Sequence, residues 1–150
     1  MVDNLDEFTH IIPVGEECYT SQSIDRKFNV DKRKVALPFD YVAGTKLDRV
    51  CSILESIYEG DFSITPQDFY YGKVDWMEGD VLIDKFDLKH IHIPERDLDT
   101  DGGMPTVYIE KMIKRWARLV AILGNRKNRI LFYTIQHFDY IRNKAKKWDA

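Results

Sequence analysis

The stretch HIIPVGEEC, residues 10–18, joins an apolar run to a glycine, with a cysteine three positions further on. Ile11, Ile12 and Val14 read as a short buried strand, and Gly15 permits the turn that leaves it. Pro13 cannot donate to a ladder, which predicts an irregular or unpaired position there. Residues 16–28, EECYTSQSIDRKF, then carry Tyr19, Ile24 and Phe28 among polar positions and predict a weakly amphipathic helix. A strand feeding a helix in this way sets Cys18 in the first helical turn. Unpaired backbone N–H groups at that end favour negative charge and so a thiolate. The competing expectation is a free cysteine that only packs.

A second apolar run, RILFYTI at residues 129–135, has the near-continuous character of a strand buried on both faces. Together the two runs predict neighbouring parallel strands with a common carboxyl-end rim. Between them, Val35-Ala36-Leu37 predicts a short strand that Pro38 ends, followed by the ring-rich turn Pro38-Phe39-Asp40-Tyr41. Residues 45–59 predict a helix, because Leu47, Val50, Cys51, Leu54, Ile57 and Tyr58 recur at three- and four-residue spacing. Thr45 and Asp48 suit a capping box, and Gly60 suits the stop. On that stripe Cys51 is expected to be buried and shielded from thiol reagents.

Residues 61–80 hold many aromatics but no clean period, with room for one short strand near 69–74. Val81-Leu82-Ile83 is a further strand candidate. LKHIHIP at 88–94 alternates strictly, which puts Leu88, His90 and His92 on one face. The loop ERDLDTDGGMP that follows lacks the ligand register of a calcium loop. Thr106–Leu123 predicts the longest helix, with Ile109, Met112, Ile113, Trp116, Leu119, Val120 and Leu123 inward. Lys111, Lys114, Arg115 and Arg118 make a basic face, most simply a solvated one. Residues 140–148 suggest a last basic helix.

The alternation of strands and helices predicts a single α/β domain over residues 1–150, the first nine frayed. Its expected sheet is mixed, largely parallel, and flanked by helices on both faces. The 44% apolar and 13% aromatic content belongs to a folded chain, and 150 residues suit one core. A net charge of −3 gives no basic excess, so nucleic acid is not the expected partner. No apolar run is long enough to span a membrane. Two cysteines outside any CxxC, with no secretory signal, point to reduced thiols in a cytoplasmic setting and to no zinc site of the usual kind. Nucleotide, zinc and serine-hydrolase motifs are absent, and no cofactor or metal is implied.

In open α/β sheets, sites gather at the carboxyl ends of the strands. Gly15–Cys18, Pro38–Asp40 and Gln136–Asp139 all follow apolar runs, so Cys18, Asp40 and His137 are expected on one rim. Cysteine hydrolysis needs a thiolate, an imidazole in reach, and a polar group that orients it. His10 starts its strand at the far end; His90, His92 and His137 remain as bases. Asp40, Gln136 or Asp139 could orient the ring, and Gln136 or a backbone amide near Cys18 could serve an oxyanion. Tyr19, Phe39 and Tyr41 could wall a pocket.

The Gly15-x-x-Cys18 strand exit followed by Pro38-Phe39-Asp40-Tyr41 resembles the opening of a bacterial and viral family of unknown function described as papain-like cysteine peptidases. The similarity extends through IDKFDLKHIHIPERD and through Lys111–Leu123 into Arg129–Phe132, about residues 10–135. It implies Cys18 as nucleophile and His92 as base, and a peptide or small-molecule substrate. Pro13 within the first strand, Ile93-Pro94 after His92 and Tyr133-Thr134 after the last strand depart from that pattern. The alternative function is a non-catalytic module whose rim binds a small anionic or peptide ligand, with amides near Cys18 as anion contacts.

Overall fold

A computed structural model of the chain describes residues 7–14, 35–40, 42–43 and 46–134. Strand β1 (His10–Pro13) pairs in parallel with β5 (Ile130–Tyr133), in the register His10↔Ile130 to Pro13↔Tyr133. The two apolar runs are thus neighbours, as their composition implied. Pro13 does not break the pair, and the next N–H, that of Val14, donates to the Tyr133 carbonyl at 2.9 Å.

The other described strands form a separate sheet. Strands β2 (Phe69–Gly72), β3 (Val81–Asp84) and β4 (Lys89–His90) are antiparallel throughout, in the order β2-β3-β4. Among the described residues the sheets are thus one parallel pair and one antiparallel sheet, so the expected largely parallel sheet is not found there, while the mixed α/β class stands. The cause is connector length. Residues 73–80 and 85–88 are all that joins these strands, and a parallel crossover needs a dozen or more residues.

Among the described residues, two helices organise the cores. Helix α1 (Leu47–Glu59) buries Val50 and Ile53, with Leu47, Leu54 and Ile57 packed beside them. It stops as expected: Gly60 takes φ 80°, its N–H reaches Ile57 O, and the Asp61 N–H reaches Ser56 O at 2.9 Å. These two bonds make a Schellman closure. Its start differs from expectation, since Lys46 is the N-cap and makes no side-chain cap bond; Thr45 lies outside the described residues. Cys51 is exposed. The buried positions centre between Val50 and Ile57, and Cys51 sits about 100° round the helix from that centre.

Helix α2 (Thr106–Gly124) serves both cores. Its later turns place Trp116, Leu119 and Ile122 in one buried cluster with Ile12 and Val14 of β1, Val50 and Ile53 of α1, and Leu37, Phe39, Val42 and Leu88. Its earlier turns place Tyr108, Ile109 and Met112 against Phe69 and Leu82 of the antiparallel sheet. Met112, Trp116 and Leu119 are fully buried, and Met112 and Leu119 each contribute roughly 1.5–3 kcal/mol over leaving them exposed. Trp116 is ringed by Phe39, edge-on at 5.6 Å, and by Phe62 and Phe86, each at 5.1 Å. Val120 is more exposed than its spacing suggested, and Tyr108 less so.

Residues 35–37 form no ladder. Their backbone groups are taken up elsewhere: Arg118 Nη1 donates to Ala36 O at 2.6 Å, and the Leu37 N–H goes to Asp40 Oδ2 at 3.1 Å. Side-chain partners of this kind compete with strand pairing. No helix among the described residues is long and apolar enough to cross a membrane.

Candidate functional site

A cleft of about 420 Å³ opens beside the first turns of α2. The Pro38–Asp40 turn contributes Asp40, and the chain beyond β4 contributes His92 and Pro94. Arg96 and Asp97 come from the 3-10 turn Glu95–Asp97; Tyr108, Lys111 and Arg115 come from one face of α2. The three helix residues are spaced by three and four, so a single stripe walls the cleft.

Asp40 is buried and hydrogen-bonded within its own turn. Its Oδ2 accepts the Leu37 N–H, and its own N–H donates to Leu37 O at 3.2 Å. A proline-led turn followed by a short acid is the local pattern that closes this way. The carboxylate is 5% exposed, yet it borders the cleft. Asp97 is also buried and is neutralised by Lys111, whose Nζ donates to both carboxylate oxygens at 2.7 and 2.8 Å.

The two histidines that strict alternation put on one face are separated. The β4 ladder ends at His90, so alternation does not carry on to His92, which is exposed at the cleft. His90 is 2% exposed and held on both ring nitrogens. Its Nε2 lies 2.9 Å from Asp84 Oδ2, and its Nδ1 lies 2.8 Å from the Tyr108 hydroxyl. Asp84 Oδ1 in turn accepts the N–H groups of Phe86 and Leu88 at 2.9 and 3.2 Å. Because a carboxylate only accepts, Nε2 is the donor to Asp84 when that residue is ionised. Burial pushes the Tyr108 phenol well above its ordinary value; Asp84 and Asp97 add to this and Arg115 opposes it. Tyr108 therefore stays a neutral hydroxyl at the cleft floor.

Of the residues that sequence patterns named for the site, Asp40 and His92 border the same cleft. Phe39 follows the same turn but is 2% exposed against Trp116, so its ring belongs to the core instead of a pocket wall. Gly15, Cys18, Tyr19, Tyr41, Gln136, His137 and Asp139 lie outside the described residues. The basic face of α2 is not simply solvated: Lys111 and Arg115 line the cleft, and Arg118 anchors Ala36. Sequence reasoning missed Asp84 and Tyr108. Taking VLIDKFDLKH as a hairpin would have found Asp84, because Leu82 opposes His90 and Asp84 shares their face two residues on.

A scan against protein-family models, a search of curated proteins and a search of solved structures each returned no match.

Proposed function

We propose that this chain is a thiol hydrolase of papain-like logic that works in the Asp40–His92 cleft, with Cys18 as nucleophile, His92 as base and Asp40 as the orienting group. One observation carries the reading. Asp40 and His92, 52 positions apart, border one cleft, while the competing imidazole of His90 is sealed between Asp84 and Tyr108. Support also comes from chain reach. Cys18 is four residues past Val14, at most about 14 Å of chain, and Val14 shares a buried cluster with Leu37 and Phe39 beside Asp40.

The chemistry runs in two balanced steps. The Cys18 thiolate attacks the substrate's acyl carbon, forming a C–S bond. The bond to the leaving amine or alcohol breaks as that group takes a proton from the His92 imidazolium. Water then gives a proton to His92 and adds to the thioester, releasing a carboxylic acid and the thiolate. The substrate is a peptide or a small acyl compound.

The second reading is a non-catalytic binding module for a small anionic or peptide ligand. It is favoured by the cationic side chains Arg96, Lys111 and Arg115 in the same cleft. The pH dependence of iodoacetamide labelling at Cys18 separates the two. Hydrolysis requires a labelling midpoint below the ordinary thiol value of about 8.5 that moves when His92→Ala is introduced. An ordinary midpoint, indifferent to His92, hands the cleft to the binding module.

A further inference from the structure

The charge lining the cleft runs against that of the chain. The whole protein carries −3, yet among the described residues lining the cleft three cationic side chains, Arg96, Lys111 and Arg115, accompany two carboxylates, Asp40 and Asp97. Lys111 is committed to Asp97, whose two oxygens it holds. Among the described residues no carboxylate is ion-paired with Arg96 or Arg115. Arg115 is also half-buried, and a guanidinium partly removed from water gains more from an anion than a solvated one does.

We infer that the cleft is built to take a carboxylate group of its ligand or substrate, held by the Arg115 guanidinium with Arg96 at the outer edge. Two features select this class. Among the described lining residues cations outnumber carboxylates by one, which suits a monoanion better than a phosphate dianion. A planar guanidinium fork matches a planar carboxylate through two parallel N–H···O bonds. The floor does not compete for the anion, because the Tyr108 hydroxyl is committed to His90 Nδ1 and remains neutral. The inference rests on this cleft being the binding site of the preceding section; it does not require hydrolysis there.

A carboxylate can come from an acidic side chain or from a chain terminus, and the probes separate the two. The full chain is titrated calorimetrically with N-acetyl-glutamate amide (side-chain acid), N-acetyl-alanine (terminal acid), N-acetyl-glutamine amide (neutral isostere) and inorganic phosphate. At least one acid should bind about tenfold or more tighter than the glutamine isostere. Arg115→Gln should erase that preference, Arg115→Lys should restore only part of it, and the exposed Arg96→Gln should weaken it without touching the fold. The Arg96 variant keeps the test decisive should Arg115→Gln fold poorly. Equal binding of acid and isostere, or a preference unchanged in both arginine variants, overturns the inference. Phosphate binding tighter than both acids overturns the assignment to a carboxylate. Cys18→Ala should keep the acid preference. In the unsubstituted chain, acid preference with an ordinary Cys18 labelling midpoint sinks only the hydrolase reading, and a lowered, His92-dependent midpoint without acid preference sinks only this one.

Discussion

The imidazole of His90 and the carboxylate of Asp84 meet at 2.9 Å with neither side chain exposed at all. Diagonal placement across the β3–β4 hairpin brings them together, and two backbone N–H groups steady the carboxylate from the other side. A charged or strongly polar pair in such a place is costly to break from one side only, because the survivor is left without a partner.

Asp84→Leu or His90→Leu alone should therefore lower stability by about 1–3 kcal/mol, the cost of leaving a buried polar partner unsatisfied. The double apolar replacement, Asp84→Leu with His90→Leu, should cost much less than the two single changes added together. Urea unfolding of the three variants measures this; strictly additive losses would show that the two residues do not act as a unit.

Tyr108 gives a pH prediction. Its folded-state value lies above the ordinary 10.0, so in alkali the unfolded chain loses this proton while the folded chain keeps it. The linked stability is complete below pH 10 and declines as pH rises beyond it. Tyr108→Phe should be less stable near neutrality, for want of the His90 hydrogen bond, but should lose less on going to higher pH. Denaturant midpoints at a series of alkaline pH values test the slope, and ultraviolet tyrosinate absorbance should find Tyr108 silent until unfolding.

Cys51 should react readily with a maleimide in the native protein, since α1 presents it to solvent. Protection of Cys51 without denaturant would mean that the helix is rotated from the position described.

The two helix-end glycines should respond to alanine with opposite signs. Gly60 sits at φ 80°, and a Cβ added there would meet nothing within 4 Å, so Gly60→Ala costs only backbone strain, roughly 1–2 kcal/mol. Asn at that position should cost less. Gly124 closes α2 without a positive φ and with equally open space. There, alanine should stabilise by about 0.4–1 kcal/mol through the unfolded state. Thermal melts of both variants decide the matter.

Features that repeat with a period were legible in the sequence. The apolar runs around Ile11 and Leu131 announced the parallel pair, and the spacing of Met112, Trp116 and Leu119 announced α2. Alternation and short turns were harder. LKHIHIP alternates over seven residues, but pairing stops at His90, and alternation has no structural meaning past the last ladder bond. Cys51 fell within a plausible stripe because small residues fit either side of a helix, and only the packing of Val50 and Ile53 fixes the rotation. In the cleft, Asp40 and His92 could be nominated by chemistry. The role of Arg115 could not, because a basic helix face looks the same whether it meets water or lines a cavity.

The register His10↔Ile130 spans 120 positions, and this has a consequence during synthesis. At ribosomal speeds of about 5–20 residues per second, β1 waits on the order of 6–24 s before its partner exists. The β2–β3–β4 sheet needs only neighbouring segments and can form in that interval. Ile11 and Ile12 are fully buried in the finished chain, so throughout the wait the nascent chain carries an apolar strand whose β5 partner has not been made. Pairing of β1 with β5 therefore cannot begin until Ile130–Tyr133 has been made, after every segment of the antiparallel sheet is already present.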